Sequence, residues 1–82
     1  MEALDGNAIG GLLIDVFGTE MTTATGTCLT CSLTSLVAEL AVYMNAPGVV
    51  VRCPGCRSVL MVITEIRGRR CVDLRGLARL DR

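Results

Sequence analysis

Eighty-two residues with no net charge are enough for one small domain, and a hydrophobic content of 51% is far too high for a disordered chain. The sequence has no His and no Trp, and its only aromatic residues are Phe17 and Tyr43. These absences exclude a Ser-His or Cys-His catalytic pair, a Cys₂His₂ zinc finger and the aromatic platforms that stack single-stranded nucleic acids. We therefore expect neither an enzyme nor a small-molecule substrate.

The first predicted element is a helix that ends at residue 18. Five apolar residues recur at the three- and four-residue spacing of one helix face: Ile9, Leu12, Leu13, Val16 and Phe17. Asp5 is suited to cap the N-terminus, and Gly18 is suited to end the helix. Gly10 and Gly11 lie inside it and cost about 1 kcal/mol each relative to Ala, so packing must hold the helix in place.

The middle of the chain is predicted to be β structure. Residues 19–27, rich in Thr and Gly, suit a loop or a short strand. The run from Leu36 to Met44 favours a strand, although its Ala and Glu residues leave a helix open. Ala46-Pro47-Gly48 predicts a turn, and the β-branched Val49-Val50-Val51 predicts a further strand.

The C-terminal part is predicted to contain a hairpin. Val59–Ile66 is a long apolar run, and Arg67-Gly68 suits a two-residue turn. This turn implies the following cross-strand pairs: Ile66 with Arg69, Glu65 with Arg70, Thr64 with Cys71, Ile63 with Val72 and Met61 with Leu74. Because the strand is apolar on both faces, a helix, a second layer or another subunit has to cover it, and the N-terminal helix is the natural cover. The tail, residues 76–82, is too short for more than one turn of helix.

Two Cys-x₂-Cys pairs are the strongest chemical signal in the sequence. Cys28 and Cys31 are separated from Cys53 and Cys56 by 21 residues, close to the spacing of a tetrahedral zinc site. Pro54-Gly55 suits the tight turn in the second pair, because Pro fixes φ and Gly tolerates positive φ. Four protein ligands leave no position for water, so we expect one structural Zn²⁺ per chain.

Other uses of the cysteines fit less well. A rubredoxin-like iron site has the same four thiolates, but it usually has Gly after each pair and an aromatic core, whereas Ser32 and Arg57 stand here. A dithiol redox centre needs a thioredoxin-like context, which is missing. Cys71 is expected to be a small buried hydrophobic residue in a strand, with a reactive thiol as the alternative.

All eight arginines lie in residues 52–82, whereas residues 1–51 carry five acidic residues and no basic one. Arg52 and Arg57 flank the second cysteine pair and are expected to offset the charge of a Zn(Cys)₄ centre. A contact with an anion or a nucleic acid would use the remaining candidates, Arg67, Arg69, Arg70 and Arg75. At the hairpin tip, a solvated turn is the simpler interpretation.

The expected compartment follows from hydropathy and from the thiols. The longest apolar uncharged run, Leu40–Val51, has 12 residues, whereas a membrane-spanning helix needs about 20. The acidic start lacks the basic residues of a signal peptide. We therefore expect a cytoplasmic protein with reduced thiols and no membrane contact.

Several segments resemble those of one protein family. They are Leu4-Asp5-Gly6-Asn7, Cys28 with Cys31, Ala46-Pro47-Gly48, Arg52-Cys53-Pro54-Gly55-Cys56 and Val72-Asp73-Leu74-Arg75-Gly76. The family is that of small, chiefly actinobacterial zinc-ribbon proteins, which has no assigned biochemical function. Gly often follows a cysteine pair in that family, so Ser32 and Arg57 could alter the local turn but not the ligation.

The expected fold is a small α+β single zinc-ribbon domain, residues 1–82. An N-terminal helix, residues 1–18, packs on a three- to four-stranded antiparallel zinc ribbon, residues 19–75, and a tail, residues 76–82, follows. The expected function is a non-catalytic zinc-binding module that docks on a protein partner or forms a homodimer, because exposed apolar patches mark interaction sites. The alternative is a nucleic-acid or transcription-associated ribbon that uses the arginine-rich half.

Overall fold

The computed structural model describes residues 3–45 and 48–82, and it contains an N-terminal helix followed by two antiparallel sheets. The strands are β1 (Thr25–Cys28), β2 (Thr34–Leu36), β3 (Ala41–Asn45), β4 (Gly48–Arg52), β5 (Val59–Ile66), β6 (Arg69–Asp73) and β7 (Leu77–Asp81). The first sheet has the order β2-β1-β7 and the second the order β3-β4-β5-β6. The small α+β class is confirmed. Residues 46 and 47 of the predicted turn lie outside the described residues.

The N-terminal helix begins with a 3₁₀ turn, Gly6–Ile9, and continues as α1, Gly10–Phe17. Asp5 caps it as predicted, because its carboxylate accepts a hydrogen bond from the Asn7 N–H. Gly18 ends it as predicted, with a φ of 75° and a bond from its N–H to the carbonyl of the last helical turn.

Strand β7 overturns the prediction for the tail. Residues 77–81 are not a helical turn but pair with β1. The register of this pair shifts between Thr27 and Cys28, so that Ala78 bulges out of the ladder. A bulge re-aims the side chains around it, which lets both Leu77 and Leu80 pack against the core.

The single strand predicted over Leu36–Met44 is also wrong. Strand β2 ends at Leu36, a 3₁₀ turn spans Val37–Glu39, and β3 begins at Ala41 in the other sheet. The Glu39 carboxylate accepts a hydrogen bond from the Leu36 N–H and closes the turn. One apolar run therefore crosses from one sheet to the next.

The β5–β6 hairpin has the predicted turn and register. Arg67 and Gly68 have φ values of 53° and 75°, as a two-residue turn requires. The ladder runs from Ile66–Arg69 to Val62–Asp73, which confirms four of the predicted pairs. The fifth, Met61 with Leu74, does not form, because β6 ends at Asp73 and the chain turns toward the first sheet.

The second sheet has a buried and an open face. Its inner face carries five buried side chains that share one core cluster with Ile9 and Leu13 of the helix: Val42, Val49, Val51, Met61 and Ile63. The helix therefore covers this face, as predicted. The opposite side, here called the outer face, carries side chains that are not buried, apolar ones together with two charged ones: Tyr43, Val50, Val62, Thr64, Ile66, Arg69, Cys71 and Asp73.

Cys71 lies in a strand, but the prediction that it is buried is wrong. It is exposed, because β6 is the edge of the sheet and its side chain lies on the outer face.

Candidate metal centre

The two Cys-x₂-Cys pairs lie in the loops of two hairpins that belong to different sheets. Cys28 is the last residue of β1, and Cys31 lies in the loop that leads to β2. Cys53 and Cys56 lie in the loop between β4 and β5. The hairpin loops meet and bring four sulfur atoms together.

Both loops close through the same backbone hydrogen bonds. In the first, the Cys28 N–H donates to the Leu33 carbonyl at 2.9 Å, and the Ser32 N–H donates to the Cys28 carbonyl at 3.0 Å. The second has the equivalent bonds, from Cys53 N–H to Ser58 C=O at 2.9 Å and from Arg57 N–H to Cys53 C=O at 2.9 Å. Two separate stretches of sequence thus form one type of loop.

The residue after each pair adopts the left-handed conformation. Ser32 has a φ of 64° and Arg57 a φ of 66°. The absence of Gly therefore does not alter the turn, although a residue with a Cβ costs about 1 kcal/mol there. These two positions consequently do not distinguish a rubredoxin-like iron site from a zinc site, and the scarcity of aromatic residues remains as the argument against iron.

Gly55 packs beside the first cysteine loop without using a positive backbone angle. Among the described glycines, only Gly18 and Gly68 have positive φ. A Cβ at Gly55 would lie 2.9 Å from Leu33 Cδ2 and 3.6 Å from Cys53 Sγ. The prediction that Gly55 uses positive φ is therefore wrong, and its closest contact is the end of the Leu33 side chain, which is 42% exposed and can move aside.

The sulfur geometry fits a bound metal ion. All four Sγ atoms lie within 4.8 Å of one another, with Cys28–Cys56 and Cys31–Cys53 both at 3.6 Å. A disulfide bond is much shorter, about 2.05 Å, and all five cysteines are free. Ligands about 2.3 Å from a tetrahedral ion lie about 3.8 Å apart. The four cysteines could therefore hold one metal ion.

Backbone donors face the two buried sulfurs. The Cys31 N–H lies 3.5 Å from Cys28 Sγ, and the Gly55 N–H lies 3.3 Å from Cys53 Sγ. Cys28 and Cys53 are buried, whereas Cys31 and Cys56 are exposed. A buried thiolate lacks water, so an N–H donor stabilises its charge and orients it toward the ion.

The pKa values of the exposed cysteines are shifted in opposite directions. The Ser58 hydroxyl, 3.2 Å from Cys56 Sγ, lowers the pKa of Cys56 to about 6. The backbone at Leu33 lowers the pKa of Cys31, but desolvation and the three neighbouring cysteines outweigh it and raise the pKa to about 12. A cation that binds all four sulfurs must therefore displace a proton from Cys31 at neutral pH.

Arg52 and Arg57 both belong to the second cysteine loop. The Arg52 guanidinium donates a hydrogen bond to the Arg57 carbonyl at 2.9 Å, and it lies 6.0 Å from the centre of the Tyr43 ring. Arg52 thus braces the backbone of the loop. The expected offset of a metal–thiolate charge by these arginines stays a prediction.

The other candidate arginines do not form one group. Arg67, Arg69 and Arg70 are exposed and follow the C-terminal end of β5, about 25 Å along the strand from the cysteine loop. Arg75 precedes Gly76, which contacts the opposite end of β5, and it pairs with Asp73 at 2.7 Å. The predicted anion contacts are therefore divided between two ends of the second sheet.

The turn at residues 73–76 supports the centre, a role that the sequence did not reveal. The Gly76 carbonyl accepts a hydrogen bond from the Leu29 N–H, inside the first cysteine loop, at 2.9 Å. A Cβ at Gly76 would lie 1.8 Å from the Val59 carbonyl oxygen, at the start of β5. Gly76 thus connects both hairpins. The resemblance identified Asp73-Leu74-Arg75-Gly76 as a motif, but only the structure shows its contacts.

One of the three comparisons with known proteins gives a match. No helix within residues 3–45 and 48–82 has the length and hydropathy to cross a membrane. No curated protein and no solved structure matches the sequence. One family model, described as a family of unknown function (DUF6510), matches residues 1–82. Since the match covers the whole sequence, the chain belongs to this family, DUF6510.

Proposed function

We propose that the protein is a non-catalytic zinc-binding module whose ion joins the two sheets and which docks on another protein or on itself. The arrangement of four cysteine sulfurs within 4.8 Å of one another carries the proposal. Four protein ligands complete a tetrahedron and leave no coordination position for water or substrate. Such a centre is structural, and free thiols of this kind persist in a reducing compartment such as the cytoplasm.

The placement of the ligands supports a structural role. Each sheet supplies one pair, so the ion would connect elements that otherwise meet through a small core. In domains of this size a metal can supply much of the folding free energy. Zinc is proposed over iron because Phe17 and Tyr43 are the only aromatic residues, which leaves no aromatic core around the thiolates.

The outer face supports the docking role. Val50 and Val62 are half-buried, and Ile66 is 56% exposed. None of the described segments buries this face. Apolar side chains that share one open sheet face mark an interaction surface.

A nucleic-acid-binding ribbon is the second candidate, and the exposed Arg67, Arg69 and Arg70 at one hairpin tip support it. Three phosphate contacts would give a salt dependence with a slope of about −3 in log K against log salt. The test is a salt titration with a generic duplex and a single strand. Absence of binding at low salt would eliminate this candidate.

Native mass spectrometry of untagged protein, purified without added metal, tests the primary proposal. We expect one zinc per chain in the wild type and in Cys71→Ser, whose cysteine lies outside the cluster. Cys31→Ser should lose zinc or bind it far more weakly. Iron in the wild type, or folded protein without metal, would contradict the proposal.

A further inference from the structure

Strand β6 is an edge of the second sheet. It pairs with β5 on one side, and none of the described residues pairs with its other edge. The other edge, β3, is capped by Leu4, which exchanges backbone hydrogen bonds with Val42 at 2.8 and 2.7 Å. A free edge of this kind is a template for another strand. The backbone groups that β6 leaves free determine which strand can pair with it.

The turn at Arg67-Gly68 determines which backbone groups β6 presents. In a two-residue hairpin the pair beside the turn, Ile66 with Arg69, exchanges both hydrogen bonds, and bonded pairs then alternate along the ladder. Cys71, like Arg69, therefore uses its N–H and C=O toward β5. The N–H and C=O groups of Arg70 and Val72 point away from the sheet and are free to bond.

We propose that a second copy of this chain pairs with β6, antiparallel, about a two-fold axis that passes beside Cys71. This inference rests on the docking function proposed above. It names a second copy as the partner and the β6 edge, which adjoins the outer face, as the surface. In this register Arg70 lies opposite Val72 of the partner subunit, and Val72 lies opposite the partner's Arg70. Each of these pairs exchanges two hydrogen bonds, so four outward N–H groups and four outward carbonyls are satisfied and the two sheets become one of eight strands.

Charge complementarity selects this register. Arg69 lies opposite the partner's Asp73, and the two-fold axis repeats the pair. Asp73 already accepts hydrogen bonds from the backbone N–H and the guanidinium of Arg75, but its side chain is 39% exposed, so its charge can still attract a second guanidinium. Moving the axis to Arg70 places two Arg70 side chains opposite each other. Moving it to Val72 places Cys71 opposite the partner's Asp73, so that neither Arg69–Asp73 pair forms.

A disulfide bond between the two Cys71 residues would test the position of the two-fold axis. The two Cys71 residues form a non-hydrogen-bonded pair, with Cα atoms about 4.5 Å apart, within the range that a disulfide spans. Oxidised glutathione, used as a reagent, accepts two electrons and two protons from the two thiols and leaves as two reduced glutathiones. The metal-loaded dimer should therefore become covalent at Cys71, and Cys71→Ser should not.

Sedimentation velocity of the metal-loaded full chain, with zinc content measured in parallel, tests the interface. We expect a wild-type dimer, and at least tenfold weaker association in Arg69→Asp, because the introduced carboxylate would face the carboxylate of the partner's Asp73. Arg67→Asp makes the same charge change in the turn, outside the interface, and should associate as the wild type does.

A mixture of variants gives the sharpest result. Asp73→Arg alone should likewise associate more weakly than the wild type, but it should form a heterodimer with Arg69→Asp, because both cross-strand pairs then regain opposite charges. A wild-type monomer at every concentration, a dimer insensitive to Arg69→Asp, or no cross-link at Cys71 would overturn this interface. Those outcomes would leave the proposed zinc centre standing. A dimer that contains no zinc would contradict the zinc centre but not the interface.

Discussion

The two residues that follow the cysteine pairs show how a single backbone angle shapes the centre. Ser32 and Arg57 both have a φ near 65°, the left-handed region that glycine adopts without a steric penalty. Their side chains do not explain this conformation. It follows from the bond that each N–H donates to the carbonyl of the first cysteine, which closes the loop.

Arg57→Gly is therefore expected to stabilise the metal-loaded protein by about 0.5–1 kcal/mol, since the left-handed strain is relieved. The bond from Arg52 is retained because it goes to a backbone carbonyl. Gly55→Ala, two residues away, has no left-handed strain to relieve and should not stabilise the protein, since its Cβ only displaces the exposed end of the Leu33 side chain. Urea unfolding at saturating zinc measures both, and a loss of stability in Arg57→Gly would contradict the strain argument.

The cysteine pKa values predict how metal affinity changes with pH. The pKa of Cys31 is raised to about 12, so binding displaces its proton throughout the neutral range. The pKa of Cys56 is lowered to about 6, so Cys56 adds a further displaced proton only below that pH. Affinity should fall as the pH falls, and more steeply below about pH 6.

Competition with a chromophoric chelator measures this profile. Ser58→Ala removes the hydroxyl beside Cys56 and raises its pKa, so the steeper part should begin at a higher pH. A profile that Ser58→Ala leaves unchanged would show that Cys56 does not titrate as its contacts imply.

Among the helices and strands, the correct predictions are those that depend on residues close together in the sequence. Asp5, Gly18 and Arg67-Gly68 act through contacts with residues close to them in sequence, so the caps and the hairpin turn could be predicted. The cysteine spacing likewise predicted the residues that come together. Strand β7 was missed because a short tail carries no local signal of the strand that it pairs with, and its ladder with β1 joins residues far apart in the sequence.

Gly76 provides a test of how the turn before β7 supports both cysteine loops. Gly76→Ala would place a Cβ 1.8 Å from the Val59 carbonyl oxygen, backbone that cannot yield easily, so we expect destabilisation of about 3 kcal/mol or more and weaker zinc binding. Gly11→Ala is the matched control. It has open space within α1 and should instead stabilise the protein by about 1 kcal/mol. Equal effects of the two variants on the midpoint of thermal unfolding would contradict the close-packing argument.

At the scale of the whole molecule, the two sheets differ in how much they depend on the ion. The second sheet contributes five buried inner-face side chains to the core. The strands of the first sheet contribute one, Cys28 at the end of β1, with Leu77 and Leu80 of β7 partly buried. Sequence patterns could not reveal this asymmetry, because it depends on which strands share a sheet.

Removal of the metal should therefore loosen the first sheet before the second. After chelation, amide hydrogen exchange in β1 and β7 should accelerate more than exchange in the central strands β4 and β5, which bond to neighbours on both sides. Cys71→Ser should respond to chelation as the wild type does, since Cys71 is not in the cluster. Equal acceleration in both sheets would mean that they unfold as one unit, and no acceleration would mean that the ion does not join them.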